Sequence, residues 1–119
     1  MTFREVVEAK DLDGLQAILA EDVVLHSPVT FRPFEGRAAV VHVLRTVAEV
    51  FEDFRYVAEL QRDDLTTLVF EARVGDRSVQ GVDLVRTRED GQIDDITVLI
   101  RPLSGLQALA QEMGRRLAP

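Results

Sequence analysis

Three turn dipeptides, Asp63-Asp64, Gly75-Asp76 and Asp90-Gly91, cut the second half of the chain into four runs rich in β-branched residues. The runs are Asp53 to Arg62, Thr66 to Val74, Arg77 to Arg86 and Gln92 to Arg101. Connections this short join antiparallel neighbours, because a parallel crossover needs a dozen residues or more. The sequence therefore predicts an antiparallel meander, and the turns set its register. With two-residue loops at Gly75-Asp76 and Asp90-Gly91, Ala72 faces Val79, Phe70 faces Gly81, and Leu68 faces Asp83. On the next pairing Val85 faces Ile96, Asp83 faces Val98, and Gly81 faces Ile100. One sheet face thus collects Leu68, Phe70, Ala72, Val79, Val85, Ile96, Val98 and Ile100, with Asp83 in their midst. A three-residue loop at Asp63-Asp64 is expected, because it would bring Phe54, Tyr56, Ala58 and Leu60 to the same face. The opposite face carries Val69, Val82, Leu84 and Leu99, ringed by Glu71, Gln80 and Arg101, with Arg86 opposite Asp95. That mixture is too apolar for a solvated face and too polar for a core. It fits a homodimer contact through the outer sheet face.

The first half reads as helices around one strand. Thr2-Phe3-Arg4-Glu5 is a capping box for a short helix to about Ala9. Asp11 caps a second helix whose apolar side is Leu12, Leu15, Ile18 and Leu19. Val23 to Ser27 is expected as a strand, halted by Pro28, and a loop to Gly36 carries Phe31 and Phe34. Arg37 to Phe51 is the long helix, with Val40, Val43, Leu44, Val47 and Phe51 on one face and His42, Arg45, Thr46 and Glu49 on the other. Ser104-Gly105-Leu106-Gln107 reads as a further capping box, opening a last helix striped by Leu106, Leu109, Ala110, Met113 and Leu117. The order gives an α+β fold with its helices on one face of the sheet. With 119 residues and no linker, repeat or low-complexity stretch, residues 1–119 are expected to form one domain.

Composition removes several classes of function. The chain has no cysteine, which excludes a disulfide framework, a thiolate zinc site and a cysteine nucleophile. Two histidines without HxH or HExxH spacing give no expectation of a metal site. GxGxxG, Walker and GxSxG patterns are absent, and no cofactor is expected. A net charge of −7 argues against nucleic acid, which selects a basic stripe. Short apolar runs and the lack of a signal-peptide pattern give the expectation of a cytoplasmic protein with no membrane span.

Asp83 is the sharpest feature. Burying a carboxylate without a partner costs several kcal/mol, so it must be protonated, hydrogen-bonded or turned to a polar cavity. A structural aspartate held by Tyr56, a loop N–H or a helix end is one reading, and an acid/base group is the other. His26, which titrates near neutral pH, and Tyr56 are the other candidates for proton transfer, although His26 also fits a strand histidine bonded to backbone. Phe31, Phe34, Phe54, Phe70, Val85 and Val98 are the expected substrate-pocket residues. His42, on the polar helix face, is expected in solvent.

The order of elements with Asp83 inside resembles the nuclear transport factor 2-like superfamily, and within it the SnoaL-like polyketide cyclase family. The resemblance rests on Leu19-Ala20-Glu21-Asp22-Val23-Val24-Leu25-His26-Ser27-Pro28, on Phe34-Glu35-Gly36-Arg37, on Gly81-Val82-Asp83-Leu84-Val85-Arg86 and on Asp90-Gly91-Gln92-Ile93. It implies a cone-shaped curved antiparallel sheet with helices on the concave face, a pocket inside, and frequent dimers through the outer face. Members of such families include cyclases, ketosteroid-type isomerases, dehydratases and epoxide hydrolases, together with proteins of no known activity. Asp83 matches an aspartate of limonene-type epoxide hydrolases, but their nearby arginine corresponds to Gly81 and their second carboxylate falls near Val98. That hydrolysis is therefore not expected. Ketosteroid isomerases pair a tyrosine with an acid, and only Tyr56 and Asp83 could take those parts here.

Two functions follow. One is a cofactor-free acid/base enzyme of isomerase, cyclase or dehydratase type acting on an apolar carbonyl compound. The other is a non-catalytic binding module for a small apolar molecule, with Asp83 orienting one polar group. A pure interaction domain would need a cone with no cavity.

Overall fold

The structure is a computed structural model and describes residues 1–117. Thr2 opens α1 (Phe3–Glu8) with both bonds of a capping box, its hydroxyl accepting from the Glu5 N–H and the Glu5 carboxylate accepting from the Thr2 N–H. Asp11 caps α2 (Leu12–Ile18) through the Gly14 N–H. The chain passes straight into β1 (Leu19–His26), which starts earlier than the sequence suggests. Leu19 is not part of the helix stripe but the first, fully buried residue of the strand. There follow β2 (Phe34–Glu35), α3 (Arg37–Val50), β3 (Glu52–Arg62), β4 (Leu65–Val74), β5 (Arg77–Thr87), β6 (Ile93–Arg101) and α4 (Leu103–Leu117).

The strands form one curved, unclosed six-stranded sheet in the order β2-β1-β6-β5-β4-β3, with β1 parallel to β6 and every other pair antiparallel. The β4–β5 register is the one the two-residue Gly75-Asp76 turn dictates, with Leu68 opposite Asp83 and Phe70 opposite Gly81. The Asp90-Gly91 loop is longer than the expected two residues, with the Arg88 N–H donating to the Gln92 carbonyl and Thr87 opposite Ile93. A register shift between Arg86 and Thr87 restores the expected pairing of Asp83 with Val98. The β3–β4 pairing differs from expectation. Arg62 pairs with Leu65, so Asp63-Asp64 is a two-residue loop, with Asp63 at φ 55°. Continued unbroken, that register would put Tyr56 opposite Glu71, on the convex face. A bulge at Val57 inserts one residue, and Tyr56 lands opposite Phe70 on the concave face. Ala58 and Leu60, beyond the bulge, stay on the convex side opposite Val69 and Thr67.

The concave face holds the core. Phe70, Leu68, Val85, Ile96, Leu25, Val23 and Leu19 are buried there against Val6, Leu15 and Val40 of the helices. Phe70 lies flat over Gly81, where a Cβ would come within 2.2 Å of the ring carbon Cζ. α4 opens at Leu103 rather than after Ser104, with the Pro102 carbonyl accepting the Leu106 N–H at 3.0 Å. Gly105 lets it approach β5 closely, and buried Leu109 packs with Ala72, Val74 and Val79. Thr46, expected on the polar side of α3, is buried, its hydroxyl donating to the His42 carbonyl at 2.7 Å. On the convex face Val57, Leu60 and Leu99 are exposed. Among the described residues no helix is long and apolar enough to cross a membrane.

Candidate functional site

Between the helices and the concave sheet lies a cavity of about 1020 Å³. Its walls are Phe3, Val6, Leu12 and Leu15 from the first two helices, Val43, Leu44 and Val47 from α3, and Leu109, Met113 and Leu117 from α4. Its floor is Leu25, Phe54, Tyr56, Phe70, Asp83, Val98 and Ile100. Asp83 is the one ionisable side chain that β4, β5 and β6 contribute to it.

Aromatic packing fixes that floor. Phe54 sits 5.1 Å from Phe70 and 5.8 Å from Phe51, centroid to centroid, and meets Tyr56 edge-on at 5.0 Å. The Arg4 guanidinium lies over the Tyr56 ring, 5.6 Å from its centroid, held by Glu59 at 3.0 Å and Glu8 at 3.4 Å. Thus clamped, the Tyr56 hydroxyl donates to Asp83 Oδ2 at 3.1 Å. Among the described residues Asp83 Oδ1 has no hydrogen-bond partner. No fully buried side-chain oxygen among the described residues lacks a partner, so Oδ1 is open to the cavity.

Burial controls the electrostatics of this pair. It disfavours the carboxylate and pushes the Asp83 carboxyl up to about 7, against the downward pull of the Tyr56 hydrogen bond. Burial first, then the Asp83 charge and hydrogen bond, push the Tyr56 phenol far above its usual range, so it remains a donor. The result is a carboxyl group that can hold or release one proton near neutral pH, with a free oxygen facing the cavity.

The other candidates from the sequence divide. Phe34, Phe54, Phe70 and Val98 line the cavity. Val85 does not, because the core of Leu19, Val23 and Ile96 closes around it. Phe31 is fully exposed on the loop after β1 and lines nothing. His26 is not brought to Asp83. Val23 and Leu25 face the core, so the strand alternation turns His26 to the convex face, where Nε2 meets Asp95 Oδ2 at 3.1 Å. His42 is exposed, its Nδ1 accepting from Arg45 at 3.0 Å. Among the described residues no group of three or more His, Cys, Asp or Glu is placed to hold a metal ion.

The family model of the SnoaL-like domain matches residues 2–96. The chain belongs to the SnoaL-like family. No curated protein matches this SnoaL-like chain. Its fold is that of a steroid delta-isomerase from Pseudomonas aeruginosa, 45% identical over 96% of this chain and 85% of that one, with a TM-score of 0.92. A protein with a cystatin-like fold from Silicibacter pomeroyi DSS-3 is 36% identical over 95% of this chain and 80% of that one, at a TM-score of 0.90. An NTF2-like protein of unknown function from Mesorhizobium loti, 24% identical over 84% and 85% with a TM-score of 0.74, shares the fold.

A stability measurement tests the buried acid. Between the unfolded pKa near 3.8 and about 7 the native state holds a proton that the unfolded chain has lost, so stability falls as pH rises through that window. Asp83→Asn, neutral at every pH, should flatten this slope and gain on the order of 1 to 3 kcal/mol at pH 8 relative to pH 4. Urea unfolding at both pH values reads the difference. An Asp83→Asn variant weaker at pH 8 by the same measure would mean an ionised, structurally held aspartate.

Proposed function

We propose that this SnoaL-like chain takes an apolar carbonyl compound into the cavity and moves a proton on it, as an isomerase, cyclase or dehydratase of the cofactor-free kind. The observation that carries this reading is the Tyr56–Asp83 hydrogen bond on an apolar floor, with Oδ1 free toward the cavity. In the ionised state, Asp83 Oδ1 takes a proton from the carbon next to the carbonyl, and the C–H electron pair passes into an enolate. The same oxygen then returns the proton to another carbon of the conjugated system. Tyr56 orients the carboxyl and stays protonated throughout. A carboxyl near neutral pH suits both halves of this cycle, since it is neither too weak a base nor too weak an acid. The likeness to a steroid delta-isomerase supports the isomerase form of the reading.

The second reading, a binding module, is favoured by the isolation of the dyad: His26 lies on the opposite face, and no other acid shares the floor. One assay separates the two. With a β,γ-unsaturated ketone as probe, conversion to the conjugated enone should follow the ionised carboxylate, rising with pH about a midpoint near 7. Asp83→Asn should abolish it, roughly a hundredfold or more. Tyr56→Phe, which removes the bond that lowers the Asp83 pKa, should move the midpoint upward. Saturable binding of the ketone without conversion would favour the module.

A second copy of the chain on the convex face is proposed as the partner there. Val69, Val82, Leu84 and half-exposed Leu99 form its apolar centre, and exposed Val57 and Leu60 extend it. Val82→Arg, which would place a charge against its symmetry mate, should turn a dimer into monomers in sedimentation equilibrium. A wild-type monomer at high micromolar concentration would contradict this.

A further inference from the structure

We propose that the ligand of this cavity carries an anionic group at the end away from its carbonyl, and that Lys10 and Arg45 receive it. This rests on the reading of the cavity as a ligand site with Asp83 at its floor. Besides Asp83 on the floor, the charged side chains that line the cavity are Glu8, Lys10, Asp11, Arg45, Glu49, Asp53 and Arg55. Five of the seven are already engaged by the fold. Glu8 pairs with Arg4, Glu49 with Arg116, Asp53 with Arg73 and Arg55 with Glu71, while Asp11 caps α2. Lys10 and Arg45 are the two left without an acidic partner among the described residues. The contact Arg45 does make is to His42 Nδ1, which is not an acidic partner.

A second observation comes from the backbone. Lys10 follows the C-cap Ala9 of α1 in the left-handed region, with φ 53° and its N–H donating to the Val7 carbonyl at 3.1 Å. Glycine or asparagine is the residue of least strain at such a position. A lysine there costs conformational energy and returns none in the form of an ion pair. What the lysine offers is a cation on a fixed turn beside the cavity. In a chain of net charge −7, two cations on the cavity lining without an acidic partner among the described residues select a carboxylate or phosphate tail over a neutral one. The floor meanwhile repels such a group whenever Asp83 is ionised. Polarity thus orients the ligand, with its carbonyl at Asp83 and its anion between α1 and α3.

The test uses 10-oxoundecanoate and its methyl ester, two probes that share a ketone and a chain but differ in charge. Calorimetric titration of the full chain at low salt should show the acid binding roughly five- to tenfold tighter than the ester. The preference should shrink to about parity at high salt and in Lys10→Met/Arg45→Met, with ester affinity unchanged. Lys10→Gly/Arg45→Gln, which suits the left-handed turn, gives the same comparison if the first pair folds poorly. Equal binding of the two probes to the wild type would overturn the proposal, as would a preference that survives both double variants. Failure of the ester itself to bind is a different result, one that overturns the ligand reading of the cavity along with this inference.

Discussion

A single hydrogen bond on a buried, largely apolar floor sets the electrostatics of this cavity. The Tyr56 hydroxyl reaches Asp83 at 3.1 Å on a floor otherwise built of Phe54, Phe70, Leu25, Val98 and Ile100. In water such a bond would be worth about 1 kcal/mol and would leave the carboxyl an ordinary acid. Among apolar side chains, the desolvation of the charged form outweighs the bond, and the acid moves toward neutrality. Burial, more than the partner, sets the protonation of Asp83.

Keeping that floor dry and in register places demands on distant parts of the chain. The Val57 bulge carries Tyr56 across the sheet, since an unbroken β3 would leave it outside. Gly81 gives Phe70 room to lie across β5 beside Asp83, and a methyl group there would collide with the ring. Arg4, tied to Glu8 and Glu59, packs over the Tyr56 ring and joins α1 to β3. Gly105 admits α4 close enough to β5 for Leu109 to seal one wall. Each is a packing feature that neither donates nor accepts the proton, and each helps decide where the two oxygens stand.

The depth of Asp83 is legible because the Gly75-Asp76 turn allows only one β4–β5 register, and period-two alternation does the rest. On β6 the longer Asp90-Gly91 loop and the shift at Arg86-Thr87 offset each other. The same reasoning failed on β3. A loop of three residues and a bulge correct the face equally well, and nothing in Tyr56-Val57-Ala58 distinguishes them, so Ala58 and Leu60 were assigned to the wrong side. His26 separates from Asp83 for a different reason. The alternation of Val23 and Leu25 turns it outward, where it meets the Asp95 side chain rather than a backbone group. Phe31 shows the limit of composition, because an aromatic residue on a loop is not thereby in a pocket. The clamp of Arg4 on Tyr56 joins residues far apart in the chain, and no local signal announces it.

The central claim is that burial, not pairing, governs Asp83. Carboxyl-carbon NMR of the wild-type chain, with the Asp83 resonance assigned by its loss in Asp83→Asn, measures this directly. The account predicts a single titration midpoint near 7. A midpoint at or below the ordinary aspartate value of 3.8 would show an ionised group held by donors, and would contradict both the dry floor and the proton chemistry built on it.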